Sequence, residues 1–131
     1  MRMGRRGFTL IELLIVVVIL GILATIVMSK FSEARERTVQ TTVRASLRDL
    51  AIQQEINHHI TGTYAGGSGP ADFVPTADVS ISITAAGSTG WAATATHAAW
   101  PGKQCGIWVG DASLASLAPP ATKEGVIECS P

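Results

Sequence analysis

One uninterrupted apolar block constrains this chain more than any other feature: Phe8 to Met28 reads FTLIELLIVVVILGILATIVM and contains a single charged residue, Glu12. An α-helix rises about 1.5 Å per residue, so the block reaches roughly 30 Å, the thickness of a bilayer's hydrocarbon core. It predicts a helix that can span a membrane. The remainder is rich in Ala, Thr, Ser and Gly, and 131 residues in all leave no room for a two-domain enzyme. Ten basic and ten acidic residues cancel, so the whole-chain charge signals neither nucleic acid nor anionic lipid as a partner.

Three readings of the block compete: a cleaved secretory signal, a permanent anchor, and a membrane helix with a second role. Arg2, Arg5 and Arg6 supply the basic start of a secretory signal. The apolar centre of such a signal is about 7 to 15 residues long and ends in a small-x-small cleavage site. This run is longer, and Ile26 to Lys30 offers no such site. Cation counting does not orient the helix, because Lys30, Arg35 and Arg37 balance the arginines on the other side.

Glu12 is the anomaly. An ionised acid in hydrocarbon costs at least a few kcal/mol even with snorkelling and water penetration, so it calls for a partner and a function. The local alternative is a capping box, since Thr9 and Glu12 have the Thr-x-x-Glu spacing that satisfies free amides at a helix start.

The residues Arg5-Arg6-Gly7-Phe8-Thr9-Leu10-Ile11-Glu12, between a short basic leader and a long apolar helix, resemble the class III signal of type IV pilins and of type II secretion pseudopilins. That resemblance implies a leader at 1–7, cut after Gly7 by a prepilin peptidase that also methylates the new amine of Phe8. Gly4 is a poorer site because Arg5 and Arg6 follow it. The resemblance also implies partners: other pilin subunits in a homopolymer, an assembly platform with its ATPase, and the bacterial inner membrane, which holds the single-pass precursor. Loss of Arg2, Arg5 and Arg6 leaves 7 basic against 10 acidic side chains, a net −3.

The physical logic of this motif is charge neutralisation in grease. Cleavage creates a cationic amine at Phe8, and the same helix carries one anion at Glu12. Helices packed side by side with a small axial offset would pair the acid of one subunit with the amine of another. Removing one member of a buried pair costs roughly 3 to 5 kcal/mol, so Phe8 and Glu12 would select the register of filament assembly.

Beyond the apolar run, residues 29–60 contain neither Pro nor Gly. Val39, Val43, Leu47 and Leu50 recur at helical spacing, and Ile52, Ile56 and Ile60 are expected to continue their face. Arg35, Arg44, Arg48 and Asp49 fall on the wet side, where Glu33 and Arg37 form a pair worth a few tenths of a kcal/mol. Gly62 is a stop signal. One helix over 8–60 is predicted, with 8–28 in the membrane or filament core. Many pilins carry a proline just past the apolar run; residues 26–31 have none. Gly21 costs only about 1 kcal/mol against Ala, too little to argue for local melting.

Residues 61–131 form the predicted head. TGTYAGGSGPADFVPT is a Gly- and Pro-rich connection, expected to pack over the helix through Tyr64 and Phe73. Strand candidates follow at Asp78–Thr84, Trp91–His97, Cys105–Val109 and Gly125–Cys129, with a turn over Gly87–Gly90. The expected class is therefore α+β: one long N-terminal helix with its amphipathic half on a small antiparallel sheet of three to four strands. The stretches GWAATATH, KQCGIWVGDA and EGVIECS also resemble the head of bacterial type IV pilins, a pilin-like fold with a disulfide-closed C-terminal loop.

Cys105 and Cys129 both lie in this segment. A head this small has a marginal core, and bridging the two would restrict the unfolded chain by roughly 3 to 4 kcal/mol. A disulfide is expected, which places the head outside the cytoplasm; two free buried thiols are the alternative. No third Cys and no His lies at zinc-ligand spacing, so no metal site is expected.

Catalysis finds no support. His58 and His59 are adjacent on a helix and point about 100° apart, unlike a chelating i, i+4 pair. His97 has no partner acid or nucleophile and reads as a hydrogen-bonded structural residue. Gly66 to Pro70 lacks the Lys of a phosphate loop, so no cofactor is expected. Trp91, Trp100 and Trp108 belong in a core or a subunit interface. The function expected is that of a structural pilin, packed into an extracellular filament for motility, adhesion or DNA uptake. The alternatives are a pseudopilin of a type II secretion system and a monomeric membrane-anchored binding domain.

Overall fold

The computed structural model describes residues 7–131; Met1 to Arg6, with the three leader arginines, lie outside the described residues. The chain divides after Arg35 into two units, and one helix, α1 (Leu10–Thr61), runs through both. Its first turn is capped by Thr9, and it stops at Gly62, whose positive φ of 78° suits a residue without Cβ. The Gly62 amide closes the end by donating to the His58 carbonyl at 2.8 Å.

In the second unit α1 packs on a four-stranded antiparallel sheet: β1 (Val79–Ala86), β2 (Trp91–His97), β3 (Cys105–Val109) and β4 (Glu128–Cys129), in that spatial order. Alternation decides the faces. Val79, Ile81 and Ile83 of β1, Trp91, Ala93 and Ala95 of β2, and Cys105 and Ile107 of β3 pack against Val39, Val43, Leu47 and Leu50 of the helix. Tyr64 and Phe73 close the edge of this core. The opposite face carries Ala92 and Trp108, covered by Ala118, Ala121 and Leu114.

The helix face differs from expectation beyond Leu50. Ile52, Ile56 and Ile60 are exposed, because Ile52 lies two residues past Leu50 and so about 200° round the helix. The position four on from Leu50 is Gln54, which is fully buried. Its amide bonds both backbone groups of Ala65, donating at 2.7 Å and accepting at 2.8 Å. With the 2.7 Å bond from Ser46 Oγ to Thr76, this fastens the 61–78 connection to the helix.

β2 and β3 have the expected bounds, whereas the outer strands differ. β1 continues to Ala86 through an irregular register between Ile83 and Ala85. β4 is shorter than Gly125–Cys129, because Gly125 sits at φ 69° and Val126 donates back to Lys123, a turn rather than a ladder. A 3-10 helix over Ala112–Leu117 was not anticipated; its sequence ASLASL repeats every three residues, the period of that helix. The segment behind it runs so close to β3 that a Cβ on Gly106 would stand 2.0 Å from the Ala118 carbonyl oxygen.

Candidate functional site

In the first unit the N-terminal end of α1 is built by a reciprocal cap. The Glu12 amide donates to Thr9 Oγ1 at 3.3 Å, and Glu12 Oε2 accepts from the Thr9 amide at 3.0 Å and from its hydroxyl at 2.9 Å. The capping-box reading of Thr9 and Glu12 is therefore realised in the single chain. It satisfies hydrogen bonds and leaves the charge: neither Thr9 group carries one, so among the described residues Glu12 has no cationic partner in the apolar block.

Every large apolar side chain of the block is exposed, from Leu10 at 90% and Phe8 at 83% down to Val16 at 47%. A continuous apolar surface of this size is not kept in water; it marks a surface covered by lipid or by other chains. The helix is long and apolar enough to cross a membrane. Its few other polar groups are satisfied internally: Thr25 donates to the Ile22 carbonyl at 2.7 Å and Ser29 to that of Ile26 at 3.0 Å. Lys30 and Glu33, paired at 3.5 Å, mark where charged residues resume.

Gly7 lies just before this cap, with no atom of the described residues within 4 Å of where its Cβ would be, and Phe8 follows it in irregular, exposed chain. The basic residues of the leader lie outside the described residues. Phe8 and Glu12 are four positions apart, and among the described residues of the chain the partner of Glu12 is Thr9.

In the second unit Cys105 and Cys129 are directly opposed on β3 and β4 and form a disulfide. Among the described residues there is no group of His, Cys, Asp and Glu able to hold a metal ion. His97 Nδ1 accepts from the Ala99 amide at 3.0 Å, a structural role, and His58 stacks on Tyr64 with ring centroids 4.3 Å apart. Trp91, Trp100 and Trp108 are all buried. Unforeseen from sequence is a polar cluster beside Trp100: Glu36 accepts from the Trp100 indole at 3.1 Å and from the Lys103 ammonium. These contacts, the Lys103 hydrogen bond above all, hold the Glu36 carboxyl below the usual carboxylate range.

Residues 2–28 match the family model of the prokaryotic N-terminal methylation motif. The chain is 35% identical over 96 residues to the type IV wide pilus major component PilA4 of Thermus thermophilus, covering 70% of this chain and 73% of that one. It is 37% identical over 70 residues to the type IV major pilin protein PilA of Myxococcus xanthus, 53% of this chain and 32% of that one. A probable minor fimbrial protein of Dichelobacter nodosus is 37% identical over 82 residues, 61% of this chain and 50% of that one.

Proposed function

Because this chain belongs to the type IV pilins, we propose that it is held by 8–28 in the bacterial inner membrane until a prepilin peptidase cuts after Gly7 and methylates the amine of Phe8. It is a structural subunit of a type IV pilus. Its relatives are named as pilus or fimbrial proteins, which leaves the pseudopilin and anchored-monomer alternatives without support. No catalytic role is proposed for any of its residues.

The observation that carries this reading is Glu12: one anion, hydrogen-bonded but with no cationic partner among the described residues, at the head of the otherwise uncharged and exposed apolar block 8–28. Cleavage supplies the missing cation. A free or methylated amine at Phe8 stays protonated at neutral pH, and it would stand at the positive end of its own helix dipole, an unfavourable place for a cation. An anion from a neighbouring copy relieves it. The carboxylate has acceptor capacity beyond the Thr9 contacts, so capping and intersubunit pairing coexist. An assembly platform and its ATPase would lift the trimmed subunits from the membrane into an extracellular filament.

Intact mass and N-terminal sequencing of sheared surface filaments test the proposal. A chain beginning at a methylated Phe8 is the expected result. Filaments built of chains that keep Met1 to Gly7 would overturn it.

A further inference from the structure

Two flanks of the head carry opposite charge, and among the described residues neither is paired within its own chain. On one flank a groove of about 400 Å³ lies between α1 and the end of the sheet, lined by Arg44, Arg48, Ile107, Val126 and Ile127. Arg44 and Arg48 are four apart and so share one helix face. On the other flank a cleft of about 260 Å³ lies between α1 and the 61–78 connection, lined by Asp49, Asp72, Ile52 and Val74. Asp49 follows Arg48 in sequence, so the two leave the helix about 100° apart and serve different flanks. Among the described residues none of Arg44, Arg48, Asp49 and Asp72 takes part in a side-chain hydrogen bond or ion pair.

The apolar parts match as well. Pro70 to Phe73 form a turn, closed by the Phe73 amide donating to the Pro70 carbonyl at 3.0 Å. Phe73 turns inward to the core, leaving Asp72 exposed beside Val74, which is 83% exposed. The basic groove likewise sets an exposed apolar residue, Val126 at 44%, beside its arginines.

We propose that the Arg44/Arg48 groove of one subunit docks on the Asp49/Asp72 cleft of the next subunit, with Val74 packed against Val126. This rests on the filament reading above. The occupant is a second copy because the complement of each flank is present on every molecule. A contact between two different patches is heterologous, so it repeats without closing and generates an open helical array. Arg guanidinium matches carboxylate geometry and can bind it bidentately, which gives direction to a contact that apolar packing alone would leave loose.

The test uses the full chain expressed in its own assembly system, with sheared filament yield normalised to subunit in the membrane. Arg48→Asp and Asp72→Arg should each lower the yield about tenfold or more, and the two together should restore it. In a second measurement, mild oxidation of filaments carrying Arg48→Cys with Asp72→Cys should produce a ladder of cross-linked subunits. Single reversals that assemble at the normal yield overturn the proposal. So does failure of both the double reversal and the ladder, or a cross-link to a different polypeptide. Absence of filaments from the unaltered chain would instead sink the filament reading itself.

Discussion

Gln54 and Ala65 are joined by a closed pair of hydrogen bonds, each side chain amide atom of Gln54 meeting one backbone group of Ala65. Gln54 is fully buried in a helix face otherwise made of Val, Leu and Ser. Gln54→Leu would fit the space but strand the Ala65 amide and carbonyl, at about 1 to 3 kcal/mol for each buried group. Thermal unfolding of the detergent-solubilised chain should show a midpoint lowered by several degrees. An unchanged midpoint would mean that water takes over both bonds.

At Glu12 two roles can be separated by chemistry. Gln at this position keeps the capping box with Thr9 but has no charge. Glu12→Gln and Glu12→Leu are both expected to insert into the membrane and to yield no filaments. Filaments from Glu12→Gln, with none from Glu12→Leu, would assign the residue to helix capping alone.

The pH response of the head should carry the signature of Glu36. Its carboxyl is held below the ordinary range by the Lys103 hydrogen bond first and the Trp100 hydrogen bond second. A group with a depressed folded pKa contributes stability above its unfolded value, near 4.5, and loses it as pH falls toward the folded value. Glu128, held down chiefly by the Thr122 amide, acts in the same direction. Glu36→Gln should therefore flatten the fall in unfolding midpoint below about pH 4.5 while leaving its slope above pH 6 unchanged. Parallel acid limbs for the variant and the unaltered chain would contradict this.

Gly106 is required by a close approach rather than by its dihedral angles. A Cβ there would stand 2.0 Å from the Ala118 oxygen and 2.7 Å from the Ala118 carbonyl carbon, both backbone atoms. Gly106→Ala must push the 112–121 segment off the sheet, and the expected cost lies at or above the top of the usual range of about 1 to 3 kcal/mol for overpacking. Proteolysis should then cut first around Ala112–Leu117. Resistance equal to the unaltered chain would show that the segment shifts at little cost.

The apolar block, the cap at Thr9 and Glu12, and the central strands were legible because each depends on local period and spacing. Trp91–His97 and Cys105–Val109 alternate, and their ends coincide with turn residues. What escaped depends on partners distant in sequence. Gln54 carries no apolar mark, so the helix face seemed to pass to Ile52, Ile56 and Ile60, which the structure exposes. Glu36 meets Trp100 and Lys103 more than sixty positions later in the chain. No periodicity announces such a contact. Arg44, Arg48 and Asp49 fall on a wet helix side in the sequence pattern, and only the packed 61–78 connection shows that Asp49 shares a cleft with Asp72 while the arginines line a separate groove.

The covalent bond between β3 and β4 also bears on damage outside the cell. A protease that nicks the backbone anywhere between Cys105 and Cys129 severs the chain but not the molecule, because both fragments stay linked through sulfur. A nicked subunit is expected to run as two pieces only after reduction, and a filament that has been cut at many such places should still hang together as one fibre.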